Sequence, residues 1–165
     1  MRIDARLVER AVAVLQALER RGAKAVSAES CTGGLIATVL SEAPGAAEHF
    51  EGGFVVYTPA QKFAALGIPP GLIEDHGTVS RQVAEAMAEG ALERSEADIA
   101  IAVTGVAGPE TDEKGNPVGL VHFGCARRGL KPFHKRCEFG ALGRSAVRYA
   151  AATEALLILA VCLKT

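Results

Sequence analysis

Ser30 stands in a segment whose residue types suit nucleophilic chemistry. Residues 28–34 read Ala-Glu-Ser-Cys-Thr-Gly-Gly, so a short β-like run ends near Ser30 and small residues open the following helix. Glycines there let backbone N–H groups approach a ligand, and a helix N-terminus favours negative charge. The N–H groups of Thr32, Gly33 and Gly34 are therefore candidates to hold a phosphate, or the oxyanion formed when Ser30 attacks a carbonyl. An ordinary helix cap, with glycines that permit tight packing, is the alternative.

Lys62 is the candidate general base. If Thr58 caps the helix that begins there, Lys62 falls in its first turn, where the helix dipole disfavours a cation, and Phe63 beside it is apolar. Both effects lower the pKa of an amine from about 10.4 towards that of a general base. Tyr57, at the end of the preceding strand, is placed to hydrogen-bond either group. A solvated lysine and a core tyrosine are the alternatives.

Cys31 is a rival nucleophile, because it adjoins Ser30 at a helix N-terminus, where thiolates are stabilised. Adjacent residues at a strand end point in opposite directions, so only one of the two should face a cleft. The histidines show no metal-ligand spacing, and no metal site is predicted. His122, in an apolar strand, is interpreted as a core residue. A serine–histidine pair formed only in space stays open as a further alternative.

Another turn with chemical potential follows the most apolar strand. Thr104 and Gly105 end that strand, and residues 105–117 are predicted to form a loop. Such a turn can present N–H groups to an anion. Arg144 and Arg148 lie one helical turn apart at the start of the last helix. They either bind a phosphate as a pair or form ion pairs with surface carboxylates.

The order of the predicted elements indicates how these turns come together. Strands alternate with helices, which is typical of a three-layer α/β/α sandwich around a mixed, partly parallel sheet. The predicted strands are residues 24–28, 53–57, 99–104, 118–126 and 131–139, the last two forming an antiparallel hairpin. Helices are predicted over residues 4–21, 32–41 and 144–163 and from Thr58 and Ser80 onward. Residues 67–77 are predicted to be loop-like, with a candidate short helical turn near Leu72. In open α/β sheets, ligands bind beyond the carboxyl ends of the strands, where such turns gather.

Composition restricts the class of protein. The chain has 165 residues, of which 49% are hydrophobic, and a net charge of −1 from 18 basic and 19 acidic residues. This length predicts one domain over residues 1–165, and the charge argues against a nucleic-acid polymer as partner. No apolar run approaches the roughly 18–20 residues that span a bilayer, and no signal-peptide pattern opens the sequence. Together with four scattered cysteines, this predicts a cytoplasmic protein with no membrane partner.

Taken together, these motifs resemble those of the CinA carboxy-terminal domain family, whose best-described activity is deamidation of nicotinamide mononucleotide. The matching segments are residues 28–34, 53–57 with Lys62 five residues on, 77–80, 104–109 and 117–119. They follow the family's order and cover nearly the whole chain, and their joint occurrence is specific. The resemblance implies a stand-alone deamidase domain, without the nucleotide-hydrolysing domain that some members carry.

The resemblance implies a serine amidohydrolase of pyridine nucleotide salvage. Such an enzyme converts the carboxamide of nicotinamide mononucleotide to a carboxylate and releases ammonia. Ser30 would be the nucleophile, Lys62 the general base and Tyr57 a helper that positions or relays the proton. No metal or organic cofactor is required, and a homo-oligomer is expected.

The family pattern also implies residues that contact the substrate. The N–H groups around Thr32, Gly33 and Gly34 would supply the oxyanion hole. Ligand contacts are expected from Thr104, Gly105 and Arg144.

Two departures from the family pattern bear on substrate affinity. Residues 110–116 (Glu-Thr-Asp-Glu-Lys-Gly-Asn) lack the glycine-rich stretch that usually follows Gly-Pro, and Thr58-Pro59 stands where Ser-Asn is common. Two alternative functions stay open. One is a catalytically silent nucleotide-binding or interaction module with the same pocket, and the other is an amidase for a different carboxamide.

Overall fold

The computed structural model describes residues 3–164 and contains one five-stranded sheet of order β2-β1-β3-β4-β5. The strands are β1 (Ala25–Glu29), β2 (Phe50–Val55), β3 (Ile99–Gly105), β4 (Leu120–Arg127) and β5 (Phe133–Glu138). The helices are α1 (Ala5–Glu19), α2 (Leu35–Glu42), α3 (Ala46–His49), α4 (Pro59–Leu66), α5 (Pro70–His76), α6 (Arg81–Glu93) and α7 (Arg144–Cys162).

The sheet is mixed, as the sequence predicts. β1 runs parallel to both of its neighbours, β2 and β3. Their carboxyl ends lie at the same edge of the sheet, because Glu29 pairs with Val55 on one side and with Val103, two residues before the end of β3, on the other. β3 pairs with β4, and β4 with β5, in antiparallel orientation, which confirms the predicted hairpin. The carboxyl ends of three parallel strands therefore meet at one edge of the sheet.

Helices cover both faces of the sheet, which confirms the three-layer α/β/α architecture. One buried apolar cluster joins α1, α2 and α7 to one face, and a second joins α4, α5 and α6 to the other. By length and composition alone, α7 is long enough and apolar enough to cross a membrane. One side of it, from Val147 to Cys162, is buried in the first cluster, as in a core helix.

Several boundaries differ from the predicted ones. α2 begins at Leu35 rather than at residue 32, because Gly33 and Gly34 adopt φ of +60° and +91°, which a right-handed helix does not allow. The loop-like segment of residues 67–77 contains α5, which is longer than the single helical turn predicted near Leu72 and which a proline starts at the first helical position. β2 begins at Phe50, three residues before the predicted start, since the short α3 leads directly into it.

Candidate active site

Ser30 follows directly on β1, the strand that lies between the two parallel neighbours. β1 is buried along its whole length. The N–H of Ser30 donates to the carbonyl of Val103 on β3 at 3.0 Å, so the sheet ladder continues by one residue beyond the strand. The side chain of Ser30 is 8% exposed. A hydroxyl is thereby held at the carboxyl edge of the sheet by backbone that is itself part of the ladder.

Lys62 comes to Ser30 from a separate element. It lies on α4, whose first turn is capped by the hydroxyl of Thr58, which accepts from the N–H of Gln61 at 3.2 Å. The Lys62 side chain is 1% exposed. Its Nζ lies 3.0 Å from Ser30 Oγ and donates to the carbonyl oxygen of Val56 at 3.0 Å. The predicted nucleophile and the predicted base are therefore in hydrogen-bond contact.

Burial makes the Lys62 amine unusually acidic for a lysine. Desolvation of the charged form lowers its pKa from 10.5 to about 8. A substantial fraction of this amine is then neutral in mildly basic solution, and a neutral amine can accept the proton of the Ser30 hydroxyl. The pair has the composition and contact distance of a nucleophile with its general base.

Cys31 has the opposite character, although it lies beside Ser30. Its side chain is 5% exposed and belongs to the apolar cluster that contains α1, α2 and α7. Burial raises the pKa of the Cys31 thiol to about 12, so the thiol stays protonated. Between the two rival nucleophiles, the environment favours Ser30.

A cavity of about 230 Å³ opens above Ser30 and Lys62. Six of the residues predicted as site residues line it: Ser30, Tyr57, Lys62, Thr104, Gly105 and Arg144. Cys31 also lines it, so the prediction that only one of Ser30 and Cys31 would face a cleft is wrong. The loop that departs from the family pattern also contributes Glu110, Thr111 and Asp112 to the wall. The turns after β1, β2 and β3 therefore converge on one cavity, which is the arrangement expected at the carboxyl edge of a parallel sheet.

Tyr57 and Arg144 form a polar bridge at this cavity. The Arg144 guanidinium donates to Tyr57 Oη and to the carbonyl of Gly108, both at 2.6 Å. Tyr57 is 56% exposed, and in the described part of the chain its hydroxyl bonds to Arg144 rather than to Ser30 or Lys62. The arrangement places a cation at the cavity and links Tyr57 to that cation, not to the Ser30–Lys62 pair.

Thr104 and Gly105 line the cavity, and each also has a role in the packing of β3. Thr104 is buried, and its hydroxyl donates to the carbonyl of Thr78 at 2.8 Å, which ties the end of β3 to the turn before α6. A Cβ at Gly105 would lie 2.7 Å from the side chain of Val121 and 2.8 Å from the carbonyl oxygen of Leu120. Close approach of β4 is therefore enough to require glycine there.

Thr32, Gly33 and Gly34 are not among the residues that line this cavity. The N–H of Gly33 donates to the carbonyl of Ser30, and the N–H of Gly34 donates to the carboxylate of Glu29, both at 3.0 Å. The Thr32 hydroxyl also donates to Glu29, at 2.7 Å. These groups are hydrogen-bonded inside the protein, so the geometry does not offer the two glycine N–H groups to an oxyanion or a phosphate.

Glu29 is the residue of the site that sequence reasoning missed. It directly follows the strand predicted over residues 24–28. Its carboxylate is fully buried and accepts hydrogen bonds from the Thr32 hydroxyl and from the N–H of Gly34, one of the three N–H groups predicted to face a ligand. The available signal was an acidic residue at the end of an otherwise uncharged strand, directly before a turn that opens a helix.

Arg144 and Arg148 do not act as a pair. Arg148 donates twice to the carbonyl of Thr32, at 2.8 and 3.3 Å, and its guanidinium lies beside Gly33. Arg144 faces the cavity, as described above. Neither predicted alternative, a paired phosphate site or surface ion pairs, fits this separation.

The histidines take no part in the cavity. His122 is buried, as predicted, and its Nδ1 lies 2.9 Å from Nε2 of His134. Burial lowers the pKa of His122 to about 4, with His134 and Arg136 contributing. Within residues 3–164, no cluster of three or more His, Cys, Asp or Glu could hold a metal ion.

Comparisons of the sequence and of the structure with known proteins match the same family. A family model described as the CinA C-terminal domain matches residues 8–163. A CinA-like protein of Akkermansia muciniphila is 49% identical over 117 residues, which are 71% of this chain and 28% of that protein. A CinA-like protein of Myxococcus xanthus is 44% identical over 128 residues, 78% of this chain and 30% of that protein. The chain thus spans less than a third of the curated relatives it matches.

Solved structures match over the whole chain. The competence/damage inducible protein CihA of Agrobacterium tumefaciens superposes with a TM-score of 0.94 at 38% identity, covering 100% of both chains. A competence-damaged protein (CinA) superfamily protein of Escherichia coli superposes with a TM-score of 0.90 at 31% identity, covering 100% of this chain and 95% of that one.

Proposed function

The chain belongs to the CinA C-terminal domain family, and from that premise we propose that it is a serine amidohydrolase acting on the carboxamide of nicotinamide mononucleotide. The single observation that carries this proposal is the 3.0 Å contact between Ser30 Oγ and the buried amine of Lys62. A structural lysine gains nothing from such burial, since desolvation of its charge costs free energy. A general base with a lowered pKa requires it.

The first half of the reaction uses Lys62 as base and then as acid. The neutral amine takes the proton of the Ser30 hydroxyl as Oγ bonds to the carboxamide carbon, and the carbonyl oxygen becomes an oxyanion. The Lys62 ammonium then protonates the amide nitrogen, the C–N bond breaks, and ammonia leaves. The nicotinoyl group remains as an ester on Ser30.

The second half repeats the proton transfers with water. Lys62, neutral again, accepts a proton from water as the water oxygen bonds to the ester carbon. The bond from that carbon to Ser30 Oγ breaks and Oγ takes back the proton, which releases nicotinate mononucleotide. The net reaction is amide plus water to carboxylate plus ammonium, with the residues returned to their starting state.

Substrate placement is proposed to depend on Arg144. Its guanidinium is the cation at the cavity besides Lys62, and it can reach an anionic group by giving up its bonds to Tyr57 and Gly108. The proposal therefore assigns the substrate phosphate to the Arg144 side of the cavity. Tyr57 is proposed to set the orientation of that guanidinium.

Ammonia release from nicotinamide mononucleotide by the purified protein tests the function. We expect Ser30→Ala to lower kcat by at least about 10³-fold, because the nucleophile is removed. Cys31→Ala, beside it, is the matched control and should retain turnover, since the thiol is buried and protonated. Loss of turnover in Cys31→Ala with retention in Ser30→Ala would assign the reaction to the thiol.

The same assay separates the alternatives. Nucleotide binding without ammonia release by the wild type would identify a silent binding module. Faster release from nicotinamide or its riboside than from the mononucleotide would identify a different carboxamide as the substrate.

A further inference from the structure

Glu29 is a carboxylate that is 0% exposed, and none of the ion pairs among residues 3–164 includes it. Every group that bonds to it is a donor, as an acceptor-only carboxylate requires. The donors are Ser27 Oγ (3.3 Å), Thr32 Oγ1 (2.7 Å) and the N–H groups of Gly34 (3.0 Å), Ile36 (3.0 Å) and Ala37 (2.8 Å). Both carboxylate oxygens are used, which compensates for the loss of water around a buried charge.

The three N–H donors belong to the N-terminus of α2. That helix has no side-chain cap, because its N-cap residue is Gly34. The Glu29 carboxylate occupies the place of both a cap and a bound anion, where the partial positive charge of the helix end stabilises it. This helix end is therefore filled from inside the protein and is not left for an anionic group of the substrate.

The same carboxylate ties together the two ends of the turn that carries Ser30. On one side it is part of β1, directly before Ser30, and on the other it holds α2 through Ile36 and Ala37. Lys62 lies on α4, which is separated from this turn in sequence by α2, α3 and β2. The 3.0 Å contact between Ser30 and Lys62 therefore depends on the turn staying in place.

We infer that Glu29 is a positioning residue, whose buried carboxylate locks the turn over residues 30–34 and so holds Ser30 Oγ within hydrogen-bond reach of Lys62 Nζ. The inference rests on the proposed function, because this alignment affects turnover only if Ser30 and Lys62 react together. Thr32, which donates the shortest of the bonds to Glu29, belongs to the same lock and not to the substrate contacts.

Glutamine has the shape of glutamate but cannot replace it here. One carboxylate oxygen accepts from Ser27 and Ala37, and the other accepts from Thr32, Gly34 and Ile36. Whichever way the amide is turned, its NH₂ group meets at least one backbone N–H, and two donors face each other without an acceptor.

Steady-state kinetics of ammonia release from nicotinamide mononucleotide test the inference. We expect Glu29→Gln to lower kcat about 10²-fold, the loss typical of a misplaced reacting group, with KM unchanged within about twofold. Thr32→Val, which removes one hydrogen bond and disturbs the fold less, should lower kcat about tenfold with KM unchanged. Thr32→Ser keeps the hydroxyl and should restore kcat.

Thr38→Val is the matched control. The Thr38 hydroxyl donates to the carbonyl of Gly34 at 2.8 Å, so this variant also removes one hydrogen bond near the start of α2, but none to Glu29. Its kcat should stay within about twofold of the wild type. If Glu29→Gln does not fold, the Thr32 and Thr38 variants decide the inference. A raised KM with unchanged kcat in Thr32→Val would place Thr32 against the substrate and overturn it.

A second measurement does not depend on turnover. Crystal structures of the wild type and of Glu29→Gln provide this measurement. Ser30 Oγ and Lys62 Nζ should be in contact in the wild type and separated beyond about 3.5 Å in Glu29→Gln. An unchanged distance in Glu29→Gln would overturn the inference. A wild type that releases no ammonia would refute the proposed function instead, and this distance would still decide whether Glu29 positions Ser30.

Discussion

The lowered pKa of the Lys62 amine is due to burial. The charged form loses its hydration there, and the change in pKa from 10.5 to about 8 corresponds to roughly 3 kcal/mol in favour of the neutral form. The carbonyl of Val56 and the hydroxyl of Ser30 keep the amine in place. The residue is thus held where it can act as a base near neutral pH.

The pH dependence of turnover follows from this direction of shift. Because only the neutral amine can accept the Ser30 proton, kcat/KM should rise with pH through about 8 and level off above it. An initial-rate profile between pH 6 and 10 measures this. Lys62→Arg, whose side chain stays charged over the whole range, should be inactive throughout. A flat wild-type profile would contradict Lys62 as the base.

At the scale of elements, glycines determine how closely α6 approaches β4 and α4. A Cβ at Gly124 of β4 would lie 2.3 Å from the carbonyl oxygen of Ala84 on α6, and one at Gly90 of α6 would lie 2.3 Å from the carbonyl oxygen of Leu66 on α4. Backbone atoms cannot turn aside as side chains do. The position of α6 therefore depends on two residues that have no side chain. Thr78, which lines the cavity, lies just before this helix.

Gly124→Ala should lower the free energy of unfolding by about 1–3 kcal/mol, because α6 must move away from β4 to make room for the methyl group. Urea denaturation measures the change. Gly71→Ala is the control, since a Cβ there meets no atom within 4 Å and its position in α5 needs no positive φ. That variant should be neutral or gain up to about 1 kcal/mol. Equal stability of the two variants would contradict close packing at Gly124.

At the scale of the whole molecule, the cavity lies at the point in the sheet where the strand order reverses. From β1 the chain passes to β2 on one side, while β3 adds on the other side, so the turns after all three strands surround one space. Open α/β sheets bind ligands at such points. The start of α7 completes the wall with Arg144, while the buried side of that helix packs in the apolar cluster with α1 and α2.

Ligand binding should therefore stabilise the whole fold, and the gain should depend on Arg144. In a Ser30→Ala background, nicotinamide mononucleotide at 100 times its Kd should add about 2.7 kcal/mol, which raises Tm by several degrees. Arg144→Met should lose most of this shift. Arg148→Met should lower Tm without ligand but keep the shift, because Arg148 bonds to Thr32 inside the protein. Equal shifts in both arginine variants would remove Arg144 from the binding site.

Much of the local structure was accessible from the sequence. Thr58, Pro59 and Gln61 predict where α4 begins, because caps and first-turn residues act on neighbours three or four positions away. Apolar periodicity predicts the sandwich, since burying one face of each element allows few layered arrangements. Ser30 and Lys62 were also identifiable, as each stands at a strand-to-helix turn whose residue types restrict what it can do.

The sequence by itself thus determined most of the elements, the layers and the chemical types at the turns, because these depend on neighbours along the chain. The short α3 and the full length of α5 were not predicted. Only the tertiary structure decided which of those groups meet. Lys62 contacts Ser30, which lies 32 positions away in sequence. Tyr57 accepts a hydrogen bond from Arg144, and the N–H groups of Gly33 and Gly34 donate to acceptors within the protein. Such pairings depend on strand register and helix packing, which set distances between residues far apart in sequence. The burial that lowers the pKa of Lys62 arises in the same way, from many distant contacts at once.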